Sequence, residues 1–397
     1  MNIKTIGHSQ IGNAINQDEI KRFAGLNAGI CYMHDWDTLV NEDVERTMRR
    51  AEGNLLSEHH SVFDHYSINF VFEDIPKFLA MMLNNQRLYG TSEKSARYTK
   101  MVLSEQEQEI YNKWFSIFLE LINKKYPIEK YNDCAYWGRT EKANLSKRNK
   151  LAQENARYLT SVFTPTTMSH TLSIRQLNYV YDYLIQILNT ETKSVLLNNA
   201  KPYIEEFLSK MDKELIIPEL NTRSKNGKLN LFDTRNYEPK EIFDDVYQTS
   251  YNGSLAQLAQ AQRHRTIKYT IKELEEMNFF VPPILKDNDE LVKAYLLDLE
   301  KVSASIPQAT EVKIYETGTM DDFILKMKER KCSYAQLEVN NQTESLLKKY
   351  IAELEKANHP RSEELKKYDR GARCTFPDYE CKSPCGFKEG VKMDRTI

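Results

Sequence analysis

The amino-acid sequence predicts an α+β fold in which one order of elements is used twice. Apolar residues alternate over residues 65–72, with Tyr66, Phe70 and Phe72 on one face, as in a half-buried strand. A similar alternation recurs at residues 312–315. In each half, a helix with a basic motif is followed by a long amphipathic helix, a strand-like stretch and another helix. This order predicts a remote duplication.

Capping signals place the long helices. Ser104 and Glu107 form a capping box before an apolar stripe, and that helix is expected to end near Lys125. Asp287 and Glu290 predict the start of a helix that runs to about residue 303. The other helices are predicted at residues 76–86, 147–159, 174–188, 255–265, 321–331 and 342–355.

The length indicates more than one domain. A chain of 397 residues and 46.5 kDa is expected to form roughly two to three domains. The stretch 218–239 is polar and contains the turn signal Asn226-Gly227, which predicts a boundary. We therefore predict a first copy at residues 1–215, a second copy at residues 216–358 and a Cys-rich tail at residues 359–397.

The charge balance argues against two classes of protein. Fifty-five Lys and Arg residues face 57 Asp and Glu residues, for a net charge of -2, so a polybasic nucleic-acid or membrane-surface protein is not expected. The sequence contains no run of about 18 apolar residues, so a membrane-spanning helix is not expected. Residues 1–13 lack the layout of a signal peptide, which predicts a cytoplasmic protein.

The cysteines near the end of the chain predict a metal site. Cys374, Cys381 and Cys385 are clustered, and without a secretory signal such thiols favour metal ligation over disulfides. With Cys332 as the fourth ligand, they would suit a tetrahedral structural zinc. The alternative is a set of reduced thiols without a metal.

Two basic motifs are candidates for binding anions. Ser95 and Arg97, two residues apart, can share one phosphate through a hydroxyl and a guanidinium fork. The run 263–265 (Arg-His-Arg) presents several donors to an anionic, planar ligand. Each motif alone is common, since S-x-R occurs widely and Arg-His-Arg also suits a solvated helix end. Neither motif decides the function by itself.

Together, the motifs resemble the flavin-dependent thymidylate synthases. That family carries R-H-R-x7-S-x-R, preceded by Q-x-x and by H-x-[ST]-x-F-x-H, and here the signature is split between the two halves. The first half keeps the histidine motif at residues 59–65 and E-x-S-x-R at residues 93–97. The second keeps Q-x-x-R-H-R at residues 260–265. The family's A-R and A-Q-x-E segments match Ala156-Arg157 and residues 335–338.

Each copy has lost the side of the site that the other retains. The retained residues are Glu93, Ser95, Arg97 and Arg157 in the first copy and Gln260, Arg263 and Arg330 in the second. The replaced positions are Met82, Asn85 and Leu184 in the first copy and Ile271, Glu273, Glu275 and Ser303 in the second. The family enzyme is a homotetramer whose sites combine subunits. The resemblance therefore implies a fused pseudo-dimer with one working type of site, and a homodimer that rebuilds the pseudo-tetramer.

The resemblance implies a methyltransferase that converts dUMP to dTMP without an enzyme nucleophile. Methylenetetrahydrofolate would supply the carbon, reduced FAD the hydride and NADPH the electrons. Arg330 is the implied catalytic residue, because it would stabilise charge developing on the uracil. The implied substrate-binding residues are Glu93, Ser95, Arg97, Arg157, Gln260, Arg263 and Arg330. The implied flavin-binding residues are His59, Ser61, Glu93, Arg263, His264 and Arg265.

Two alternatives stay open at this point. The retained residues specify phosphate and uracil better than the one-carbon donor, so flavin-dependent C5 alkylation or hydroxymethylation of another pyrimidine nucleotide is one rival. A non-catalytic paralogue that binds dUMP or flavin is the other. The flavin site itself departs from the family, since Ser173 and Thr319 stand where the family has asparagines.

Overall fold

The chain divides into two compact units that interrupt one another in sequence. The computed structural model describes residues 1–9, 15–32, 35–131, 135–220, 231–233, 235–382, 385 and 395–397. The first unit comprises Met1–Lys94 with Pro165–Asn230, and the second comprises Ser95–Thr164 with Leu231–Ile397. The chain passes between them for the last time at Asn230, within the polar stretch predicted as a boundary. The predicted Asn226-Gly227 turn lies outside the described residues.

The compact units are not the same as the predicted copies. Residues 95–164 belong to the predicted first copy and yet lie in the second unit. Compactness reports which segments pack together, whereas a copy is a statement about ancestry, so the division at residues 215 and 358 stays a prediction.

The described strands and helices follow one another in a mixed order. They are β1 (Asn2–His8), α1 (Gln17–Gly29), α2 (Trp36–Val40), α3 (Val44–Leu56), β2 (Ser67–Pro76), α4 (Lys77–Leu83), β3 (Gly90–Glu93), α5 (Glu105–Lys125), α6 (Ile128–Tyr131), α7 (Glu141–Ala156), β4 (Pro165–Ser173), α8 (Ile174–Asn189), α9 (Val195–Lys210), β5 (Ile242–Phe243), β6 (Val246–Ser254), α10 (Leu255–Ala261), β7 (Lys268–Glu273), α11 (Asp289–Lys301), β8 (Glu311–Thr319), α12 (Met320–Arg330), α13 (Leu337–Lys356) and α14 (Ser362–Lys366). This mixed α and β content agrees with the predicted class.

The first unit is organised by an antiparallel sheet in the order β1-β2-β4-β3. The alternation predicted for β2 is confirmed, because Ile68, Phe70 and Phe72 are buried while their neighbours are partly exposed. The ring of Phe72 meets Phe207 of α9 edge-on at 5.3 Å between centroids. One face of the sheet is therefore covered by the helices that follow it.

The second unit contains an antiparallel sheet with the equivalent order, β5-β6-β8-β7. Helices α12 and α13 pack against it through a core in which Tyr247, Phe323 and Tyr350 contact one another. In both sheets, the strands lie side by side in the order first, second, fourth and third along the chain.

Helices α5, α7 and α11 form a second core in this unit. Trp114 of α5 meets Tyr295 of α11 edge-on, with 4.9 Å between ring centroids. The indole N–H of Trp114 donates to the carboxylate of Asp298 at 2.9 Å, and Lys113 pairs with the same carboxylate at 2.5 Å. Residues from both predicted copies therefore share one hydrophobic core.

Two short segments of the second unit, one from each predicted copy, pair in a reciprocal way. Both lie in an antiparallel bridge. The N–H of Val162 donates to the carbonyl of Ile306 at 2.9 Å, and the N–H of Gln308 donates to the carbonyl of Thr160 at 2.8 Å. In each of these hydrogen bonds, the donor lies two residues after the acceptor of the other bond in the same segment. Each segment therefore contacts the other in the same way. Such reciprocity is typical of a two-fold interface between equivalent chains.

Several predicted helix ends are confirmed, and others need correction. The capping box at Ser104 and Glu107 is present, and α5 ends at Lys125 as expected. The N-cap of α11 is Asn288 rather than Asp287, because the Asn288 side chain accepts the N–H of Leu291. Helix α13 begins at Leu337, five residues before the predicted start, since Leu337 and Val339 bury an additional turn.

Across the described residues, the search for a helix long and apolar enough to cross a membrane is negative.

The buried ion pair between Lys326 and Glu316 provides a test of the second core. Both side chains are fully buried, and Glu316 also accepts the hydroxyls of Tyr247 and Tyr251. Lys326→Ala should lower the free energy of unfolding by about 3–5 kcal/mol in urea titrations, because it leaves an uncompensated buried carboxylate. Lys293→Ala, which removes an exposed pair, should leave stability nearly unchanged. Equal effects of the two variants would contradict this account.

Candidate functional site

The predicted phosphate arginine Arg97 is held by a buried carboxylate. Its Nε donates to Glu154 of α7 at 2.5 Å, and a terminal nitrogen donates to the carbonyl of Tyr334 at 2.8 Å. Burial alone would raise the pKa of Glu154, but Arg97, Arg157 and Arg395 together bring it below its ordinary value. Glu154 is therefore an anion that interacts with arginines from separate parts of the second unit.

Arg157 lies beside this pair with one donor left over. The residue begins a short 3-10 helix after α7, and only 4% of its surface is exposed. One terminal nitrogen donates to Gln336 Oε1 at 2.8 Å, whereas the buried Nε has no hydrogen-bond partner in the described part of the chain. An unpartnered buried guanidinium N–H costs free energy unless a ligand or water accepts it.

The A-Q-x-E segment supports Arg157 from the other copy. Gln336 also donates to the hydroxyl of Tyr158, which in turn donates to Glu338 at 2.7 Å. The Ser254 hydroxyl and N–H both donate to Glu338 as well. Burial raises the pKa of Glu338. Residues that the family resemblance singled out in both copies therefore form one hydrogen-bonded network.

Arg330 is oriented by the histidine of the Arg-His-Arg run. Its Nε donates to His264 Nε2 at 2.8 Å, and a terminal nitrogen donates to the carbonyl of Gln260 at 3.1 Å. Burial, with the charges of Arg330 and Lys326, lowers the pKa of His264 to about 2, so the ring is a neutral acceptor. Glu329 lies 3.8 Å from this ring but is not its ion-pair partner, because the imidazole carries no charge.

Arg97 lies within electrostatic range of both Arg157 and Arg330. Burial lowers the pKa of Arg330. Glu329 and Tyr269 oppose that effect, while Arg263 and Arg97 lower the pKa further. Arg97 and Arg157 belong to the predicted first copy and Arg330 to the predicted second copy, and all three lie in the second unit. Like charges gathered in this way are stable only beside a compensating anion.

Other predicted site residues lie in the first unit or at the surface of the second. His59 and Ser61 are exposed, and Glu93 pairs with Lys77 at 2.5 Å. Arg263 and Arg265 are exposed, unlike the buried His264 between them. The Ser95 carbonyl accepts the N–H groups of two following residues, which forms the turn that carries Arg97.

Three of the positions that the resemblance predicts to be replaced are buried among apolar residues, whereas Glu275 is exposed. Met82 and Leu184 are fully buried in the first unit, and Ile271 is fully buried in the second. Ser303 begins the short 3-10 helix Ser303–Ser305, the counterpart of the one that Arg157 begins. In the predicted duplication, this position carries Arg157 in the first copy and Ser303 in the second.

The two polar residues that replace family asparagines both cap helices. Ser173 accepts the N–H of Gln176 at the start of α8, and Thr319 accepts the N–H of Asp322 at the start of α12. Their hydroxyls are ordinary N-cap acceptors.

The four predicted zinc ligands lie near one another without metal-site spacing. Burial raises the pKa of Cys374, and the thiols of Cys385, Cys381 and Cys332 contribute to the shift. Among the described residues, Asp244, Asp245 and His359 place ligand atoms within 4.8 Å of one another, and no three of these thiols do. In that second group, Asp244 and Asp245 are exposed and His359 is partly buried, and Arg361 pairs with Asp245 at 3.1 Å.

The motifs did not indicate four residues that interact with Arg97 or with its carboxylate partner. They are Lys147, Glu154, Tyr334 and Arg395. One signal was available, because Lys147 and Glu154 are seven residues apart and so share a face of α7 just before Arg157. Tyr334 and Arg395 are brought in by tertiary structure, which no local spacing indicates.

The family comparison agrees with the motifs of the first copy. Residues 16–186 match the family described as thymidylate synthase complementing protein. This segment covers less than half of the chain, and it contains the retained residues Glu93, Ser95, Arg97 and Arg157. The resemblance to the flavin-dependent thymidylate synthases is thereby confirmed for this segment, while the tandem arrangement stays a prediction. No curated protein matches the chain.

Solved structures of this class are similar to about half of the chain. Flavin-dependent thymidylate synthase ThyX from Helicobacter pylori complexed with FAD and dUMP is 15% identical, covering 54% of this chain and 95% of its own, with a TM-score of 0.29. A second structure of that enzyme with FAD and dUMP is 15% identical and covers 56% of this chain and 100% of its own, with a TM-score of 0.31. A UMP/dUMP methylase PolB from Streptomyces cacaoi, bound with 5-Br dUMP, is 16% identical and covers 55% of this chain and 92% of its own. Its TM-score is 0.31. Such low TM-scores carry no fold assignment.

The neutral state of His264 can be tested directly. Its imidazole should stay neutral down to about pH 4 in nitrogen-detected NMR, because protonation would break the bond from Arg330 and place two cations in contact. Arg330→Ala should raise the pKa of His264 by removing a neighbouring charge. A doubly protonated His264 ring near pH 6 in the unaltered protein would contradict this arrangement.

Proposed function

We propose that the protein is a flavin-dependent thymidylate synthase that converts dUMP to dTMP, with methylenetetrahydrofolate as the carbon donor. The observation that carries the proposal is the meeting of Arg97, Arg157 and Arg330 in one compact unit. These arginines are the ones that the family resemblance assigns to the substrate. NADPH is the proposed reductant.

Arg330 is the proposed catalytic residue. Its side chain is 11% exposed, and its Nε and one terminal nitrogen are held by His264 and the Gln260 carbonyl. A fixed, partly desolvated cation can stabilise negative charge that develops on a pyrimidine ring without reorganising during the reaction. A neutral His264 suits this role, since it orients the guanidinium without adding a second charge.

Arg97 and Arg157 are the proposed phosphate ligands. Glu154 offsets part of their charge and fixes the Arg97 guanidinium in place. The unpartnered Nε of Arg157 is a buried donor that a phosphate oxygen would satisfy. Ser95 lies two residues before Arg97 and would add its hydroxyl to the same group.

The flavin ligands that the resemblance implies, and that we propose, are His59, Ser61, Glu93, Arg263, His264 and Arg265. Arg263 and Arg265 are exposed cations, which suits the anionic diphosphate of FAD. FAD supplies hydride chemistry when bound, and the residues of the chain bind and orient the reactants. No side chain is proposed as a nucleophile.

We also propose that the chain arose by duplication of one family unit and acts as a homodimer. Three observations support the duplication. The two sheets share one strand order, the short 3-10 helices occupy equivalent positions, and the segments around Val162 and Gln308 pair reciprocally. The complementary loss of site residues is expected once two copies in one chain can specialise separately.

The reaction can be tested with purified protein, FAD, NADPH, methylenetetrahydrofolate and dUMP. Tritium should be released from 5-labelled dUMP, and mass spectrometry should identify dTMP. Arg330→Ala should lower kcat by about 10²–10³-fold through loss of charge stabilisation, whereas the exposed Arg370→Ala should not change it.

The outcomes separate the proposal from its rivals. A product mass other than dTMP would replace this reaction with another C5 modification of a pyrimidine nucleotide. Binding of dUMP without turnover, unaffected by Arg330→Ala, would indicate a non-catalytic protein.

We further propose that Cys332, Cys374, Cys381 and Cys385 hold a structural zinc. The donor chemistry fits, because four thiols are a ligand set suited to structural zinc and the other three lie close enough to Cys374 to affect its pKa.

Elemental analysis should find about one zinc per chain, because four thiolates are a complete structural ligand set. Cys374→Ser and Cys381→Ser should reduce the zinc content and lower the thermal unfolding temperature, whereas Cys31→Ser, which alters an exposed thiol, should not. Zinc-free protein whose stability is insensitive to chelators would contradict this proposal.

A further inference from the structure

Lys147 is a half-buried cation without an ion-pair partner among the residues that the structure describes. Its Nζ lies 4.1 Å from the ring centre of Tyr136 and 4.9 Å from that of Tyr334. No hydrogen bond or ion pair involves this amine within the described part of the chain. Aromatic faces attract a cation, but they form no ion pair with it and replace only part of the hydration that the amine loses on burial. The amine therefore retains its hydrogen-bonding capacity for a ligand.

The charges around Lys147 leave an excess of positive charge. The side chains that act on it most strongly are Glu154, Arg395, Arg97 and Lys150, so three cations face one carboxylate. Glu154 is already engaged by Arg97 at 2.5 Å. Burial and this surplus lower the pKa of Lys147 to about 7. A bound anion would offset the surplus positive charge and so raise the pKa of Lys147.

Arg395 is fixed at the same place by its own contacts. One terminal nitrogen donates to the carbonyl of Ala335 at 3.0 Å, and its guanidinium lies 5.9 Å from the Tyr136 ring centre. The next residue, Thr396, donates its N–H to the Tyr126 hydroxyl at 3.2 Å, and Ile397 is buried in the helical core. Arg395 is therefore a positioned cation rather than a solvated one.

We propose that Lys147 and Arg395 complete the phosphate site begun by Arg97 and Arg157, and that together they bind the dianionic phosphate monoester of a nucleotide. This inference deepens the proposed function and rests on it for the identity of the nucleotide. None of the motifs that indicated the family includes Lys147 or Arg395.

A phosphate monoester suits this cluster better than a carboxylate does. Its two negative charges match a surplus of more than one cation, and its three terminal oxygens accept from several directions at once. Arg157 contributes an unpartnered, buried Nε, and Lys147 contributes an ammonium with three donors. A single carboxylate offers half the charge and a planar arrangement of acceptors.

This arrangement makes anion binding depend on pH through Lys147. The group is about half protonated near neutral pH without a ligand, and a bound dianion stabilises its charged form. Binding therefore takes up a proton around neutral pH and weakens as pH rises above the pKa of the free amine. The groups facing Lys147 are Glu154, Arg97, Arg395, Lys150 and the two tyrosines.

Sulfate is a suitable probe, because it stays dianionic across the range of interest. Isothermal titration of the full chain from about pH 6 to about pH 9 should show sulfate affinity falling at least about tenfold. Lys147→Met should remove that pH dependence and lower the affinity at the acidic end by about tenfold or more. Lys147→Arg should retain the affinity and lose the pH dependence, since guanidinium stays charged.

Lys142→Met is the matched control, because Lys142 is an exposed lysine on the same helix. It should behave like the unaltered protein, and circular dichroism should confirm that each variant is folded. Sulfate affinity that is independent of pH, or equal in Lys147→Met and Lys142→Met, would overturn the inference.

The dUMP titration separates this inference from the proposed function. If sulfate binding depends on Lys147 while dUMP neither binds nor reacts, the anion site stands and the thymidylate synthase assignment fails. If dUMP is converted with the same KM in Lys147→Met, the assignment stands and the role of Lys147 fails. The expected result is a raised KM for dUMP in Lys147→Met, accompanied by weaker sulfate binding.

Discussion

One buried carboxylate, Glu154, is the constraint on which the cationic site depends. It holds Arg97 directly and lowers the cost of burying Arg157, while its own charge is retained only because these arginines surround it. Removing any one member leaves the others with unbalanced charge in a desolvated region, where such an imbalance is costly. Helix α7 carries Glu154, so the packing of α7 against α5 in the helical core also fixes the geometry of the site.

The second unit combines residues from both predicted copies in one hydrogen-bonded network. Its sheet and α12 provide Arg330, and the segment 95–164 provides Arg97 and Arg157. Gln336 and Glu338 then join the halves by bonding to Arg157 and Tyr158. Met82, Leu184 and Ile271, which the resemblance places opposite family site residues, are buried in hydrophobic cores.

Sequence reasoning recovered the local features and missed those that tertiary contacts create. The capping box of α5 and the alternation of β2 follow from short-range spacing, and both are present. The family motifs identified Arg97 and Arg330, but not the charges that surround them. Arg395 reaches Tyr136 across a long stretch of chain, and no local pattern encodes that contact. Lys147 was within reach of sequence reasoning, because it shares a face of α7 with Glu154.

The interleaving of the two units has a consequence for synthesis of the chain. Helix α5 emerges from the ribosome long before α11, whose Tyr295 and Asp298 cover the indole of Trp114. Likewise, the first sheet cannot finish until β4 is made after residue 164. Apolar surface on α5 therefore stays uncovered during much of translation, a condition that favours aggregation and chaperone binding. The same long-range closure predicts slow folding of the helical core after release.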